Sequence, residues 1–288
     1  MKIAWIGTGV MGNAMVQHLT PNYEVKVYNR SKEKMLNLVN EATLTDSIQE
    51  CVQDCDFIFT MVAYPKDVEE IYLGKDGIIE HAKRNAILVD MTTSSPQLAE
   101  KIAQKASDSE KGLSALDAPV SGGDIGAKKG TLSIMVGGRI DTYEKTLPLF
   151  EKLGTNINYI GKAGCGQHSK MCNQIAVAGA TAAYSEALVY MKENGLDYTT
   201  VLNAIGSGAA GSWQMEHMAP RVLNNDFEPG FFIKHFTKDM RIAKSVMEEK
   251  GTPLKMLECV YQMYETLEET GFAEMGTQAL IKYYHEEN

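Results

Sequence analysis

Over the first half of the chain, short apolar runs alternate with segments of helical periodicity, and past the midpoint the alternation stops. Ile3–Ile6 reads as a buried strand, Asn13–Leu19 as a helix and Glu24–Tyr28 as a second strand. Asp56–Val62, Ala86–Met91 and Leu113–Pro119 read as further strands, each ending in polar or turn residues. Alternation of Leu132, Ile134 and Val136 predicts a strand over Gly130–Gly138; Asp141–Leu153 reads as a helix and Asn156–Ile160 as a last short strand. Such alternation is the βαβ signature of a mostly parallel sheet covered by helices. From Met171 to Asn194 the pattern is helical almost throughout. Its small residues Ala176, Ala178, Gly179, Ala180, Ala182 and Ala183 allow close helix–helix approach, within a subunit or across a dimer. Helices continue from Asp197, broken at Gly206–Gly211, Asn224–Gly230 and Gly251–Pro253, and close with Pro253–Thr270 and Ala273–His285. The pattern predicts an α/β domain, a boundary near Gly161–Gly166, and a helical domain.

Composition narrows the partners. With 288 residues, 44% hydrophobic and 23% charged, the chain has the balance of a soluble two-domain protein. A net charge of −9 argues against nucleic acid as the main partner. No apolar run approaches the roughly 18–20 residues of a membrane helix. Met1–Gly7 reads as a strand and turn, not a signal peptide. Five scattered cysteines form no framework or zinc spacing, which fits reduced thiols in a cytoplasmic protein. The histidines show no metal spacing, so no metal is expected.

Five stretches carry candidate chemistry. Gly7-Thr8-Gly9-Val10-Met11-Gly12 follows a strand and opens a helix, the context of a dinucleotide fingerprint. Gly7 permits the tight turn, Gly9 admits a pyrophosphate to the backbone, and Gly12 allows helix–sheet packing. The second strand ends in Asn29-Arg30-Ser31 where an NAD binder usually has an acid. Arg30 and Ser31 suit a 2′-phosphate, so NADP(H) is favoured, with NAD possible. Met61, Val62 and Thr93 fall at strand ends beside the expected cofactor, while Ser94 or Ser95 caps the helix beginning near Pro96. In Asp117–Gly123, the run Ser121-Gly122-Gly123 reads as a carboxylate cradle or a Gly-rich turn. In Gly164–Gln174, Lys170, Asn173 and Gln174 share a helical face. The last stretch is Phe231–Met240.

Together these motifs resemble, in order and along the whole length, the β-hydroxyacid dehydrogenase family, which includes 3-hydroxyisobutyrate dehydrogenase, tartronate semialdehyde reductase and glyoxylate/succinic semialdehyde reductase. The resemblance implies a doubly wound Rossmann domain over 1–162. It implies an all-helical domain over 163–288, joined through a helix at about 167–194, with homodimers or tetramers built from the helical domains. It makes Lys170 the catalytic acid/base, and partial burial beside the cofactor is expected to lower its pKa. Ser121, Gly122, Gly123, Asn173 and Gln174 become the binders of a small carboxylate-bearing substrate. Many members have a second asparagine where this chain has Gln174, a longer amide. Phe231 and Lys238 are assigned to the cofactor side, and Asn29-Arg30-Ser31 resembles the NADP-preferring branch. The expected activity is interconversion of a small β-hydroxy acid and its semialdehyde or keto acid. An imine reductase-like or non-catalytic NADP-binding protein is the alternative on the same fold.

Overall fold

The structure is a computed structural model in which residues 1–284 are described. Contacts divide the chain into two compact units, Met1–Lys170 and Met171 onward.

In the first unit, β1 (Lys2–Ile6), β2 (Glu24–Tyr28), β3 (Thr43–Leu44), β4 (Phe57–Thr60), β5 (Ile87–Asp90) and β6 (Ser114–Asp117) pair in parallel, in the spatial order β3-β2-β1-β4-β5-β6. The sheet continues with β7 (Val120–Ser121), β8 (Leu132–Gly138) and β9 (Gly154–Gly161); β8 runs antiparallel to β6 and β7 and parallel to β9. The first unit's helices include α1 (Val10–Val16), α2 (Ile48–Val52), α3 (Pro65–Leu73), α4 (Ile78–His81), α5 (Pro96–Asp108), α6 (Gly123–Lys129) and α7 (Ile140–Leu153), with a 3-10 helix over Lys32–Leu38 after β2. Strands buried on both faces are why β4 and β5 read as unbroken apolar runs. One face packs Trp5, Phe59 and Phe150 under α1 and α7; the other packs Ile58, Leu88, Val68 and Ile102 under α3 and α5. Each large side chain so buried contributes about 1.5–3 kcal/mol. Cys51 and Cys55 lie in the second of these cores, where burial pushes both thiols up to about 12. They are packing residues, not reactive ones.

Three local expectations change. The first helix begins at Val10, not Asn13, because Gly12 packs inside it against Gly7. It stops at Val16, and turns lead to Leu19 and beyond. The glycine-rich stretch after Ser121 is not merely a turn. It opens α6, with Gly122 as N-cap and Gly130 closing the helix in the left-handed region at φ 64°.

The second unit is helical. It takes in most of α8 (Cys165–Glu193), then α9 (Tyr198–Gly206), α10 (Trp213–Leu223), α11 (Ile233–Glu249) and α12 (Lys255–Leu267). Asp197 and Ser212 cap α9 and α10 by accepting from the Thr200 and Met215 amides. The predicted last helix is instead a 3-10 segment over Thr277–Tyr284, preceded by a turn in which Gly271 sits at φ 98°. The predicted end at His285 lies outside the described residues. Helix α8 starts ahead of the expected position near 167, because its first turn is held from outside.

Candidate active site

The strand order reverses at β1, whose neighbours β2 and β4 lead to opposite edges of the sheet. Ligands of open α/β sheets bind beyond the carboxyl ends of the strands at such a point, and here the segment is Gly7–Gly12. Its shape is fixed by the protein itself. The Gly7 amide donates to the Tyr28 carbonyl at 2.9 Å, and the Gly7 carbonyl accepts from Trp5 Nε1 at 3.0 Å. The Thr8 amide donates to Asn29 Oδ1 at 2.9 Å, while Asn29 Nδ2 donates to the Ser31 carbonyl. Asn29 therefore shapes the loop. Gly7 needs its glycine: φ is 98°, and a Cβ would sit 2.2 Å from the Met61 carbonyl oxygen. A Cβ on Gly12 would sit 2.0 Å from the Gly7 carbonyl oxygen.

Gly9 differs. Nothing lies within 4 Å of the place its Cβ would occupy, so packing does not require glycine there. Beside it, Thr8 Oγ1 is buried with no hydrogen-bond partner among the described residues, a costly state that a ligand oxygen would relieve. Val10 is 60% exposed although apolar, and Met11 is half-buried behind it. An orphaned hydroxyl, an open glycine and the first-turn amides of α1 fit a phosphate-bearing cofactor. The end of β2 carries Asn29, Arg30 and Ser31, none of them an acid. Arg30 is exposed, its guanidinium 3.9 Å from Asp67, and Ser31 is half-buried. Met61 and Val62, after β4, and Thr93, after β5, are half-buried around the same end of the sheet. Ser95, not Ser94, caps α5, accepting from the Leu98 amide at 3.1 Å.

Farther along the sheet, Ser121 ends β7 and pairs with Ser133 of β8. Gly122, at φ 131°, and Gly123, at φ 62°, turn the chain into α6. The first-turn amides of α6 are the donors a carboxylate would meet.

Lys170 is 6% exposed, on the second turn of α8. The turn before it is anchored by buried polar groups that sequence reasoning passed over. Asp117 accepts from the Gly164 amide through Oδ1 and from the Gln167 amide through Oδ2, both at 2.8 Å. Gln167 accepts from the Ser94 amide at 2.9 Å and donates to the Thr92 carbonyl at 2.8 Å. The one available signal was the acid heading the Asp117–Gly123 stretch.

Burial pushes the Asp117 carboxyl up to about 6, against the Gly164 and Gln167 amides, which favour its charged form. The folded pKa lies above the unfolded value, so this group's contribution to stability is full below about pH 4 and is lost as pH rises through about 6. The loss is on the order of 3 kcal/mol. The Tm of Asp117→Asn minus that of the wild type is therefore expected to climb between pH 5 and 7. A difference that stays flat over that range would contradict the assignment.

Within the second unit, Gln174 is 3% exposed and its Nε2 donates to Asp239 Oδ2 at 2.7 Å. Asn173 Nδ2 donates to Gln174 Oε1 at 2.6 Å. Lys238 Nζ lies 3.0 Å from Asp239 Oδ1, an ion pair outside hydrogen-bonding geometry, so that oxygen has no hydrogen-bond partner among the described residues. The structure thus joins half-buried Asn173 and buried Gln174, Asp239 and Lys238 in one chain, and the longer arm of Gln174 is what reaches Asp239. Phe231 stands apart from it: its ring meets Phe236 edge-on at 5.9 Å and its carbonyl accepts from the Thr277 amide. Among the described residues no group of three or more His, Cys, Asp or Glu side chains gathers as a metal site.

Comparison with known proteins agrees along both units. A family model for the NAD-binding domain of 6-phosphogluconate dehydrogenase matches residues 2–161. One for the NAD-binding of NADP-dependent 3-hydroxyisobutyrate dehydrogenase matches residues 164–284. An uncharacterized oxidoreductase of Bacillus subtilis is 48% identical, with 98% of both chains covered. The Arabidopsis thaliana protein named probable 3-hydroxyisobutyrate dehydrogenase-like 1, mitochondrial, is 42% identical over 97% of this chain and 84% of that one. The solved structure of Mycobacterium tuberculosis 3-hydroxyisobutyrate dehydrogenase with L-serine superposes with a TM-score of 0.89 at 27% identity, covering 98% of each chain. With a Rossmann-type sheet, a ligand-ready glycine loop and a helical second unit, the chain belongs to the β-hydroxyacid dehydrogenase family of NAD(P)-dependent oxidoreductases.

Proposed function

We propose that the protein is an NADP(H)-dependent reductase of a short semialdehyde or keto acid bearing a carboxylate, which also oxidises the matching β-hydroxy acid. The observation that carries this reading is Lys170, an ammonium 6% exposed on a helix whose first turn is pinned by buried polar groups. Reduction of a carbonyl leaves an alkoxide, and a positioned acid must supply its proton. Lys170 Nζ donates that proton, and in the oxidative direction the neutral amine removes it from the hydroxyl. The nicotinamide cofactor, when bound, supplies or accepts the hydride. Ser121 and the Gly122 and Gly123 amides hold the substrate carboxylate. Asn173, at i+3 from Lys170 on the continuous α8, orients the reacting oxygen, and Gln174 supports it by holding Asp239.

Substrate size follows the relatives. 3-Hydroxyisobutyrate, named in the matching family model, and L-serine, present in the related solved structure, each carry a carboxylate and a β-hydroxyl on a short chain. NADP(H) is favoured because Arg30 and Ser31 stand where a ribose-binding acid would repel a 2′-phosphate. Five cysteines without a disulfide fit a cytoplasmic enzyme. No helix among the described residues is long and apolar enough to cross a membrane. Cys172, Ala176 and Ala183 are exposed along α8, a stripe suited to a homodimer or tetramer through the helical unit.

The test is oxidation of NADPH and NADH against glyoxylate and succinic, methylmalonate and tartronate semialdehydes. Turnover with at least one of them, faster with NADPH, is expected. Silence across the panel despite tight NADPH binding would move the assignment to imine reduction or non-catalytic binding. Arg30→Ala should weaken NADPH about 10- to 100-fold, the worth of a charge-assisted phosphate contact, and leave NADH nearly unchanged. Equal loss with both cofactors would remove the 2′-phosphate role.

A further inference from the structure

The first turn of α8 is tied to three strand ends by one buried polar network, and every member lies in the first unit. Thr60, Asp90, Thr92, Ser94, Asp117 and Gln167 are each at most 6% exposed. At the end of β4, Thr60 Oγ1 donates to Asp90 Oδ1 at 2.8 Å and lies 2.9 Å from the Tyr72 hydroxyl. After β5, the Thr92 amide donates to the same Asp90 oxygen, and Thr92 Oγ1 accepts from the Val62 amide at 3.0 Å. Gln167 then joins this loop to α8 through the Thr92 carbonyl and the Ser94 amide, and Asp117 joins α8 to β6. The fit leaves no slack: a Cβ on Gly166 would lie 2.5 Å from the Asp117 and Met135 carbonyl oxygens, and one on Gly137 would lie 2.6 Å from Asp117 Oδ1.

We propose that Asp117 and Gln167 are positioning residues for Lys170: together they fix the first turn of α8 against the strand ends of the first unit, and so where the Lys170 ammonium is presented. Gln167 stands at i−3 to Lys170, so its three hydrogen bonds constrain the helical turn on which the lysine rides. A displacement on the order of 1 Å is enough to cost about 10²-fold in turnover. The network also holds Val62 and the backbone on either side of Thr93, so the cofactor-side loops and the acid take their positions from one anchor. This inference rests on the proton-transfer role given to Lys170 above.

A carboxylate can accept from both the Gly164 and Gln167 amides, and protonation weakens one of those contacts. The groups facing Asp117 are Asp90 from β5, Tyr72 from α3, and, beside Gly164, Glu100 of α5; β8 faces it with Gly137. Asp90 adds to the burial that holds the Asp117 pKa near 6, so the anchored form is complete only above that pH. A residue that merely stabilises the fold would change Tm and binding together. It would leave the pH profile of kcat in place.

The experiment measures kcat, KM and NADPH dissociation constants from pH 5 to 9 for the wild type, Asp117→Asn, Gln167→Met and Lys170→Ala. Wild-type kcat should fall as pH drops through about 6. Asp117→Asn should lose about 10- to 100-fold of kcat, bind NADPH within about threefold of wild type, and lack the acid limb. Gln167→Met should lose a similar factor and keep the limb. Wild-type kcat in both variants, or no inflection near pH 6 in the unmodified protein, would overturn the inference, and the second readout holds even if a variant fails to fold. Inactive Lys170→Ala beside unaffected Asp117→Asn and Gln167→Met would remove this inference alone. Active Lys170→Ala would remove the reading beneath it.

Discussion

Lys170→Ala should fold, bind NADPH as the wild type does, and lose turnover by about 10³-fold or more. General acid catalysis is worth about 10²–10⁴-fold, and a buried ammonium on an anchored helix is the arrangement that reaches the upper part of that range. The fold should tolerate the change, because alanine is the best helix former. Cofactor affinity should hold because the loop at Gly7–Gly12 is shaped by Trp5, Tyr28 and Asn29, not by α8. Lys170→Arg is the stricter control. A guanidinium keeps the charge but gives up its proton only above about pH 12, so it should restore little activity. Turnover near the wild-type rate in the alanine variant would reassign the acid.

The two glycines of the cofactor loop should separate structure from binding. Gly12→Ala would place a methyl group 2.0 Å from the Gly7 carbonyl oxygen, backbone that cannot move without disturbing the Trp5 and Tyr28 hydrogen bonds. Overpacking of this kind costs about 3 kcal/mol or more, and a large fall in Tm is expected with the cofactor absent. Gly9→Ala meets nothing within 4 Å, so its apo Tm should match the wild type within the roughly 0.5 kcal/mol typical of neutral sites. Its NADPH affinity should nonetheless fall about 10-fold or more, because the methyl group occupies space left for the pyrophosphate. Calorimetry without cofactor and fluorescence titration with it measure the two effects separately. Equal affinity in Gly9→Ala and wild type would mean the open face of Gly9 is not where the phosphate lies.

Much of this was legible in the residues. Strand β2 falls at the predicted Glu24–Tyr28, and β1, β4 and β5 fall within or one residue from their predicted runs, because apolar runs bounded by turns have few other ways to be buried. Helix α6 was missed because it opens with glycines and carries few apolar residues; the left-handed Gly130 that closes it is visible only in three dimensions. The last segment read as an ordinary helix because Leu280, Ile281 and Tyr284 keep a near-helical spacing, whereas the backbone takes the tighter 3-10 path. At the site, the motifs picked out Lys170 and the glycine loop, but not what holds them. Gln167 and Thr92 carry no charge and no distinctive spacing. Their importance lies in bonds between residues 75 positions apart in the chain. The exchange of asparagine for Gln174 was visible, but its target, Asp239, was not, because that contact depends on how α8 and α11 pack.

The most direct measurement follows deuterium from NADPH labelled at both C4 positions into the product of whichever carboxylate-bearing aldehyde or keto acid turns over fastest. The account predicts one deuterium on the carbinol carbon of the hydroxy acid for each NADPH consumed, with product formation about 10³-fold slower or more in Lys170→Ala. NADPH consumption without label in a hydroxy acid, or labelled product formed by Lys170→Ala at the wild-type rate, would contradict it.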